Sequence, residues 1–264
     1  CCLWRRWRQG WLSRGWVASP ISRLTIANRV FLVFIDRNAS LSVSRLNRSG
    51  EASRYIVVEG PIGVGKTSLA KKLAESLSAD LVLEEVYENP FLERFYRDGQ
   101  SAALPAQMFF LFARARQIED LRQSDLFSNV RVSDYLFSKD QLFAELNLST
   151  DELQLYNQVV QSLNIEAPVP DLVIYLQSSV DALLRRIAHR GVSFERAIDR
   201  RYLEKLTDAY AQFFHAYNEG PLLIVNASQI DPIHNAADYE QLFQQIERTT
   251  GGRHFFNPVS AVLA

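Results

Sequence analysis

The residues from 60 to 67 have the types and the spacing of a loop that binds phosphate. They fit the pattern G-x-x-x-x-G-K-[ST], and they are Gly60, Pro61, Ile62, Gly63, Val64, Gly65, Lys66 and Thr67. Glycines let backbone N–H groups turn inward around phosphate oxygens, and a helix that follows adds the positive end of its dipole. The lysine reaches the terminal phosphates, and the threonine hydroxyl binds Mg²⁺. The string therefore predicts a site for a nucleoside triphosphate.

Carboxylates follow two further apolar segments of the chain. Asp134 comes directly after VRVS, and we predict that it binds Mg²⁺ together with Thr67, a helix N-cap being the alternative. Glu84 and Glu85 end the segment LVLEE. Moving a phosphoryl group onto a hydroxyl needs a base, which a carboxylate at a strand end can supply. A solvated pair of acids is the alternative for these two glutamates.

The elements that must position these residues alternate along the chain from residue 55 onward. The predicted strands are 55–59, 81–85, 130–134, 171–177 and 222–227. The predicted helices are 67–77, 103–123, 149–163, 179–191, 200–221 and 236–248. Continuous apolar strands separated by helices indicate an α/β protein, with a parallel sheet covered on both faces. Ligands of such sheets bind at the carboxyl ends of the strands, where the loop and the acids lie.

The composition changes near residue 54, which suggests two kinds of sequence. All four tryptophans and both cysteines lie within the first 16 residues, and residues 1–54 carry a net charge of +8 against −9 for the remainder. We predict that residues 1–53 are a basic leader, disordered or not native to the protein, and the first residue, a cysteine, supports this. A targeting peptide or a basic contact segment are the alternatives. Residues 54–250 are predicted to form one domain and residues 251–264 a tail.

The same composition disfavours several classes of function. A negative net charge over residues 55–264 argues against general binding of nucleic acid. The absence of cysteine from that part of the sequence fits a reducing cytoplasm. The apolar run at 30–35 has six residues and is too short to cross a bilayer. We therefore predict a cytoplasmic protein that binds neither nucleic acid nor membrane.

Four blocks of the acidic part resemble the bacterial deoxynucleoside kinases. The segment EEVYENPFLERFYRDG at 84–99 resembles the family pattern E-P-V-x-x-N-P-F-L-x-x-F-Y. The resemblance implies that Glu84 is the general base and that Tyr96 binds the sugar 3′-hydroxyl. Glu85 stands where the family has proline.

The next two blocks resemble segments that recognise the base. In AQMFFLFARARQ, Gln107 and Arg114 match the family's base-reading glutamine and arginine, and their spacing of seven puts them on one helical face. The segment VSDYLFSKDQLFAEL resembles D-R-S-x-x-x-D and keeps Asp134 and Asp140. The resemblance implies that Asp140 pairs with Arg114 against the base. Tyr135 stands where the family has an arginine that helps to bind near the 5′-oxygen and the phosphates.

The fourth block resembles an arginine-containing lid. In LLRRIAHRGVSFERAIDRRYLEKL, Arg186, Arg190 and Glu195 match the pattern R-x-x-x-R-G-R-x-x-E, and Val192 replaces its third arginine. Lid arginines close over the transferring phosphoryl group and neutralise its charge. The resemblance implies that Glu195 shares the sugar 3′-hydroxyl with Tyr96.

Together these blocks imply a P-loop kinase, with a three-layer α/β/α fold, a five-stranded parallel sheet and an arginine-containing lid. The implied reaction is the ATP-dependent phosphorylation of the 5′-hydroxyl of a purine deoxynucleoside, with Mg²⁺ as cofactor, by a homodimer. Two alternatives remain open. Tyr135 and Val192 favour a nucleotide-binding module with weak catalysis, and the phosphate loop alone also fits a nucleoside-monophosphate kinase.

Overall fold

The computed structural model describes residues 54–123 and 130–257, and three strands in the segment before them. The chain separates into two units, Cys1–Ser53 and Arg54–Ala264. In the first unit, β1 (Ile21–Ile26), β2 (Arg29–Phe34) and β3 (Val43–Arg45) form an antiparallel sheet in that order. The rest of this unit lies outside the described residues, so the interpretation of residues 1–53 as a leader stays a prediction.

Six parallel strands form the sheet in the described part of the second unit. They are β4 (Arg54–Glu59), β5 (Asp80–Val82), β6 (Val130–Ser133), β7 (Leu172–Gln177), β8 (Leu222–Asn226) and β9 (Arg253–Phe256). Their order is β5-β6-β4-β7-β8-β9, and every neighbouring pair is parallel. The central strands are buried because their apolar runs face helices on both sides. The predicted α/β class with a parallel sheet is confirmed.

The prediction of five strands was wrong, because it missed β9. This strand pairs with β8 and lies inside the segment 251–264, for which the sequence predicts a tail. Its sequence RHFF has no apolar run, and Phe255 is 71% exposed, so the pattern carries little signal for an edge strand. The second predicted strand was also too long. It ends at Val82, and Glu84 and Glu85 lie in the turn that follows.

Eight α-helices surround the sheet in the described part of the second unit. They are α1 (Lys66–Leu77), α2 (Leu92–Asp98), α3 (Ala103–Gln123), α4 (Lys139–Asn147), α5 (Thr150–Leu163), α6 (Val180–Arg190), α7 (Arg200–Ala216) and α8 (Ala236–Arg248). The short helices α2 and α4 were not predicted, and α7 ends before the predicted boundary at 221. Within the described residues, every helix is too short or too polar to cross a bilayer.

Local signals account for several helix ends. Ser149 and Glu152 form the predicted capping box before α5, where the Glu152 carboxylate accepts from the Ser149 backbone at 3.0 Å. Gly191 ends α6 with a φ of 71°, a conformation that glycine adopts without strain.

The strand order places the predicted functional segments side by side. The phosphate loop follows β4, Asp134 follows β6, and Glu84 comes after β5. These three strands are neighbours in the order β5-β6-β4. Because they run parallel, their carboxyl ends share one edge of the sheet, and the three segments converge there.

Candidate active site

The phosphate loop has the backbone geometry that its glycines predict. Gly63 and Gly65 have φ angles of 83° and 105°, which side chains rarely adopt. A Cβ atom on Gly60 would lie 2.4 Å from the Leu176 carbonyl oxygen, so only glycine fits against β7 there. The loop leads directly into α1, whose first backbone N–H groups are left for a ligand.

Lys66 folds back over the loop that precedes it. Its Nζ donates to the carbonyl oxygen of Gly60 at 2.8 Å and to that of Pro61 at 3.4 Å. Burial lowers the pKa of Lys66, and the charge of the neighbouring Glu59 opposes this effect. The ammonium is therefore held at the loop, where the resemblance places the terminal phosphates.

Thr67 and Asp134 meet as predicted. The Thr67 hydroxyl donates to one Asp134 oxygen at 2.5 Å, and the Glu84 backbone N–H donates to the other at 2.8 Å. Asp134 does not cap α4, because Ser138 occupies the N-cap position, and the alternative interpretation is wrong.

This oxygen pair fits Mg²⁺, which commonly takes one or two protein ligands and completes its shell with phosphate oxygens and water. Among the described residues, no group of three or more His, Cys, Asp or Glu side chains could hold a metal ion. A site here would thus depend on the bound triphosphate for the remaining ligands.

Glu84 lies between two cations. One of its oxygens accepts from Arg114, with an Nε distance of 3.0 Å, and the other lies 3.3 Å from Nζ of Lys139. The Glu84 side chain is 12% exposed. Burial raises its pKa, but the charges of Arg114 and Lys139 outweigh that effect and lower the pKa to about 2. Glu84 is therefore ionised, as a proton acceptor must be.

A second acid, Glu59, lies beneath the loop and was missed by the sequence analysis. Its side chain is 0% exposed, and one oxygen lies 3.1 Å from Lys139 Nζ and 3.0 Å from the Tyr210 hydroxyl. Its other oxygen has no hydrogen-bond partner among the described residues. Burial raises the pKa of Glu59 although Lys139 opposes the shift. Glu59 is an acid at the end of an apolar strand, and this position in the sequence could have indicated a functional residue.

Gln107, Arg114 and Asp140 form one buried network. The Gln107 side-chain amide donates to a carboxylate oxygen of Asp140 at 2.9 Å and to its backbone carbonyl at 3.0 Å. Arg114 donates to the same carboxylate, as predicted, and the Tyr156 hydroxyl donates to its other oxygen. Because both side chains donate to Asp140, this carboxylate fixes the orientation of Gln107 and Arg114. The contact between Arg114 and Glu84 was not predicted.

Tyr96, Arg190 and Glu195 line the cleft at the lid. Arg190 binds Glu195 through two hydrogen bonds, at 3.0 and 2.5 Å. The Tyr96 ring stacks on Phe194, with ring centres 6.1 Å apart. Burial and the charge of Glu195 are among the causes that raise the pKa of Tyr96, which keeps its phenol neutral.

Two residues from the matched blocks make contacts that the resemblance does not imply. Arg186 donates to the backbone carbonyls of Val64 and Ala227, at 3.2 and 2.7 Å, and so ties the loop to the end of β8. Tyr135 lies in a separate cavity, together with Tyr55 and other apolar side chains. Neither is among the described residues that line the cleft.

One continuous cleft joins the remaining groups. Its lining includes Ile62, Gly63, Lys66, Thr67, Glu84, Tyr96, Gln107, Phe110, Arg114, Asp134, Lys139, Phe143, Asn147, Arg190, Glu195 and Tyr210. Phe110 and Phe143 were missed, although Phe110 shares a helical face with Gln107 and Arg114. One cleft thus contains three sets of groups. They are the phosphate loop, an ionised acid beside two cationic groups, and a polar network between aromatic side chains.

Comparisons with known proteins agree with this geometry. The family model for deoxynucleoside kinase matches residues 56–250. A deoxyguanosine kinase from Bacillus subtilis strain 168 is 34% identical over 198 residues, which cover 73% of this chain and 96% of that protein. A deoxyadenosine kinase from Lactobacillus acidophilus is 30% identical over 208 residues, covering 74% and 95%.

The fold is also found in a solved structure. The deoxyadenosine kinase from M. mycoides with bound dATP superposes with a TM-score of 0.65 at 24% identity, covering 74% of this chain and 99% of that one. The family model spans well over half of the chain. The chain therefore belongs to the deoxynucleoside kinase family, the P-loop enzymes that phosphorylate a deoxynucleoside to its monophosphate.

Proposed function

We propose that this enzyme transfers the γ-phosphoryl group of ATP to the 5′-hydroxyl of a purine deoxynucleoside, with Mg²⁺ as cofactor. The observation that carries the proposal is the cleft that Lys66 and Thr67 share with Gln107 and Arg114, with Glu84 also in its lining. Phosphoryl transfer needs donor and acceptor in line, and a single cleft with both sets of groups meets that need.

The donor end is assigned to the phosphate loop. Its backbone N–H groups bind the phosphates, and Lys66 exchanges its bonds to the loop carbonyls for bonds to the terminal phosphates. Thr67 and Asp134 would hold Mg²⁺. When bound, the ion neutralises charge on the β- and γ-phosphates.

The acceptor end is assigned to the buried network and the aromatic walls. Gln107 can present its side-chain oxygen to a donor on a base edge, while Asp140 accepts from its two N–H donors and fixes its orientation. Phe110 and Phe143 line the space in which a flat base would lie. A purine acceptor is supported by the names of the relatives, which are a deoxyguanosine kinase and a deoxyadenosine kinase.

The sugar is assigned to Tyr96 and Glu195. The Tyr96 phenol can donate to the oxygen of a 3′-hydroxyl, and the Glu195 carboxylate can accept from the O–H of that same hydroxyl. Arg190 stays partly exposed while it holds Glu195, so it can also turn toward the phosphoryl group. This arrangement suits a neutral sugar better than a second phosphate.

The proton step is assigned to Glu84. As the 5′-oxygen bonds to the γ-phosphorus, the bond from that phosphorus to the bridging oxygen breaks and ADP leaves. The proton of the 5′-hydroxyl passes to the Glu84 carboxylate. The cations that lower the Glu84 pKa keep its carboxylate ionised before the transfer.

A substrate panel tests this proposal. The four deoxynucleosides are each incubated with ATP and Mg²⁺, and the monophosphate product is measured by chromatography. We expect kcat/KM to be at least about tenfold higher for the purine than for the pyrimidine deoxynucleosides, a difference of about 1.4 kcal/mol. Reactions with EDTA test the metal, and deoxynucleoside monophosphates as acceptors test the alternative kinase class. Preference for a pyrimidine or for a monophosphate would contradict the proposal.

Assembly and location are proposed by resemblance to the family. We propose a cytoplasmic homodimer without affinity for nucleic acid or membrane. Light scattering after gel filtration tests the dimer, since a mass of about 60 kDa would be twice that of one 30.2 kDa chain. An electrophoretic mobility shift assay with duplex DNA tests the absence of affinity for nucleic acid, and a shifted band at physiological salt would contradict it.

A further inference from the structure

Lys139 is a buried lysine in a position that its own helix does not favour. Its side chain is 3% exposed, and it is the first residue of α4. A positive charge at a helix N-terminus opposes the helix dipole, and lysine is almost never buried unless it is paired. Local stability therefore does not explain why a lysine stands here, and the explanation must lie in what its ammonium contacts.

The ammonium bridges two acids at the cleft. Nζ lies 3.1 Å from an oxygen of Glu59 and 3.3 Å from an oxygen of Glu84. An ammonium has three N–H donors, and these two carboxylates take two of them. Lys139 also lines the cleft, together with Lys66 and Asp134. One N–H thus remains for a ligand oxygen beside the proposed base.

Tyr135 brings no positive charge to this place. It comes directly after Asp134, but its side chain lines the separate cavity that also includes Tyr55. Its hydroxyl has no hydrogen-bond partner among the described residues, and burial raises its pKa, so the phenol is neutral. The nearest cation on the same segment is Lys139, whose Nζ lies 6.0 Å from the Tyr135 ring centre.

We propose that Lys139 is a catalytic residue, whose ammonium contacts the acceptor 5′-oxygen and the transferring phosphoryl group and stabilises the charge that develops there. This inference rests on the proposed function of the cleft. When Glu84 accepts the substrate proton it becomes neutral, and Lys139 then exchanges an acid partner for the phosphoryl oxygens. A fixed cation in a buried site stabilises such charge more than it would in water.

The competing explanation is that Lys139 only neutralises Glu59. A pair of variants separates the two, because Glu59→Gln removes the buried charge that would need neutralising. The double variant Glu59→Gln/Lys139→Met is compared with Glu59→Gln alone, by kcat, KM and thermal melting followed by circular dichroism. We expect kcat to be about 10²–10³-fold lower in the double variant, with similar melting temperatures and deoxynucleoside KM. Equal kcat in the two would overturn the proposal.

Two further variants keep the proposal testable if the double variant does not fold. Lys139→Arg keeps the charge and is expected to keep kcat within about tenfold of the parent enzyme, or about 1.4 kcal/mol. A loss of kcat greater than about a hundredfold in a folded Lys139→Arg enzyme would overturn the proposal. Lys71 is an exposed lysine on α1, so Lys71→Met is the matched control and should leave kcat unchanged. Failure of the parent in the substrate panel would instead reject the function of the cleft.

Discussion

Replacing Glu84 with glutamine tests the proposed base with the least change in shape. Glutamine is nearly isosteric with glutamate, but it cannot accept a proton at neutral pH. Its side-chain oxygen can still accept from Arg114, which contacts Glu84 in the parent enzyme. The substitution thus removes the charge and the basicity of one side chain while it keeps the packing of the cleft.

The expected magnitudes follow from the partners that remain. Arg114 keeps Asp140, and Lys139 keeps Glu59, so neither cation is left without an acid. We therefore expect a loss of about 1.5–3 kcal/mol in the free energy of unfolding, the range for a hydrogen bond to a charged group. Loss of a general base should lower kcat by about 10²–10⁴-fold, which raises the barrier by about 2.7–5.4 kcal/mol. The deoxynucleoside KM should change little.

The assay measures monophosphate formation at saturating ATP, with unfolding followed in denaturant to separate stability from catalysis. Glu85→Gln is the control, because Glu85 is the adjacent acid and its side chain is 33% exposed, with its nearest arginine nitrogen 3.9 Å away. Its kcat should stay within about threefold of the parent, as for a surface pair worth less than about 1 kcal/mol. A large loss for Glu85→Gln with normal turnover for Glu84→Gln would show that the wrong acid was matched.

The remaining predictions concern the groups around that base. Lys66→Ala should abolish nearly all transfer while circular dichroism stays native, and normal turnover of the folded variant would refute the phosphate site. A 2′,3′-dideoxynucleoside should be a poor substrate for the parent, and Tyr96→Phe and Glu195→Ala should reduce that discrimination; equal turnover of the two sugars would exclude both roles. Arg190→Ala should lower kcat by about 10³-fold or more, and near-parent kcat would reject it as a lid arginine. Tyr135→Arg should not abolish activity, and complete loss of turnover in a folded variant would contradict this.

Several features of the fold could be predicted from the sequence because their causes are local. The bounds of α3 (Ala103–Gln123) and α8 (Ala236–Arg248) agree with the predicted helices. The capping box before α5 depends on residues three positions apart. The loop at 60–67 was predicted for the same reason, since its glycines act on the backbone that contains them.

The partners of Asp134 could also be predicted from the sequence. The rule that ligands bind at the carboxyl ends of parallel strands needs only the strand positions. It placed Thr67, Glu84 and Asp134 together, and hydrogen bonds of 2.5 and 2.8 Å join them in the structure. By contrast, β9 is an edge strand without an apolar run, and only its pairing with β8 defines it.

Only the tertiary structure decided which charges share the cleft. Glu59 and Lys139 are far apart in the chain. Nothing in the sequence indicates that these two side chains are buried against each other. Arg114 was expected to hold Asp140, yet its guanidinium has enough donors to hold Glu84 as well. Arg186 matched the lid pattern, and only the structure shows that it donates to a backbone carbonyl of the phosphate loop and to the carbonyl that follows β8. A buried charge is stable only beside a partner, and the partner is set by the packing of distant segments.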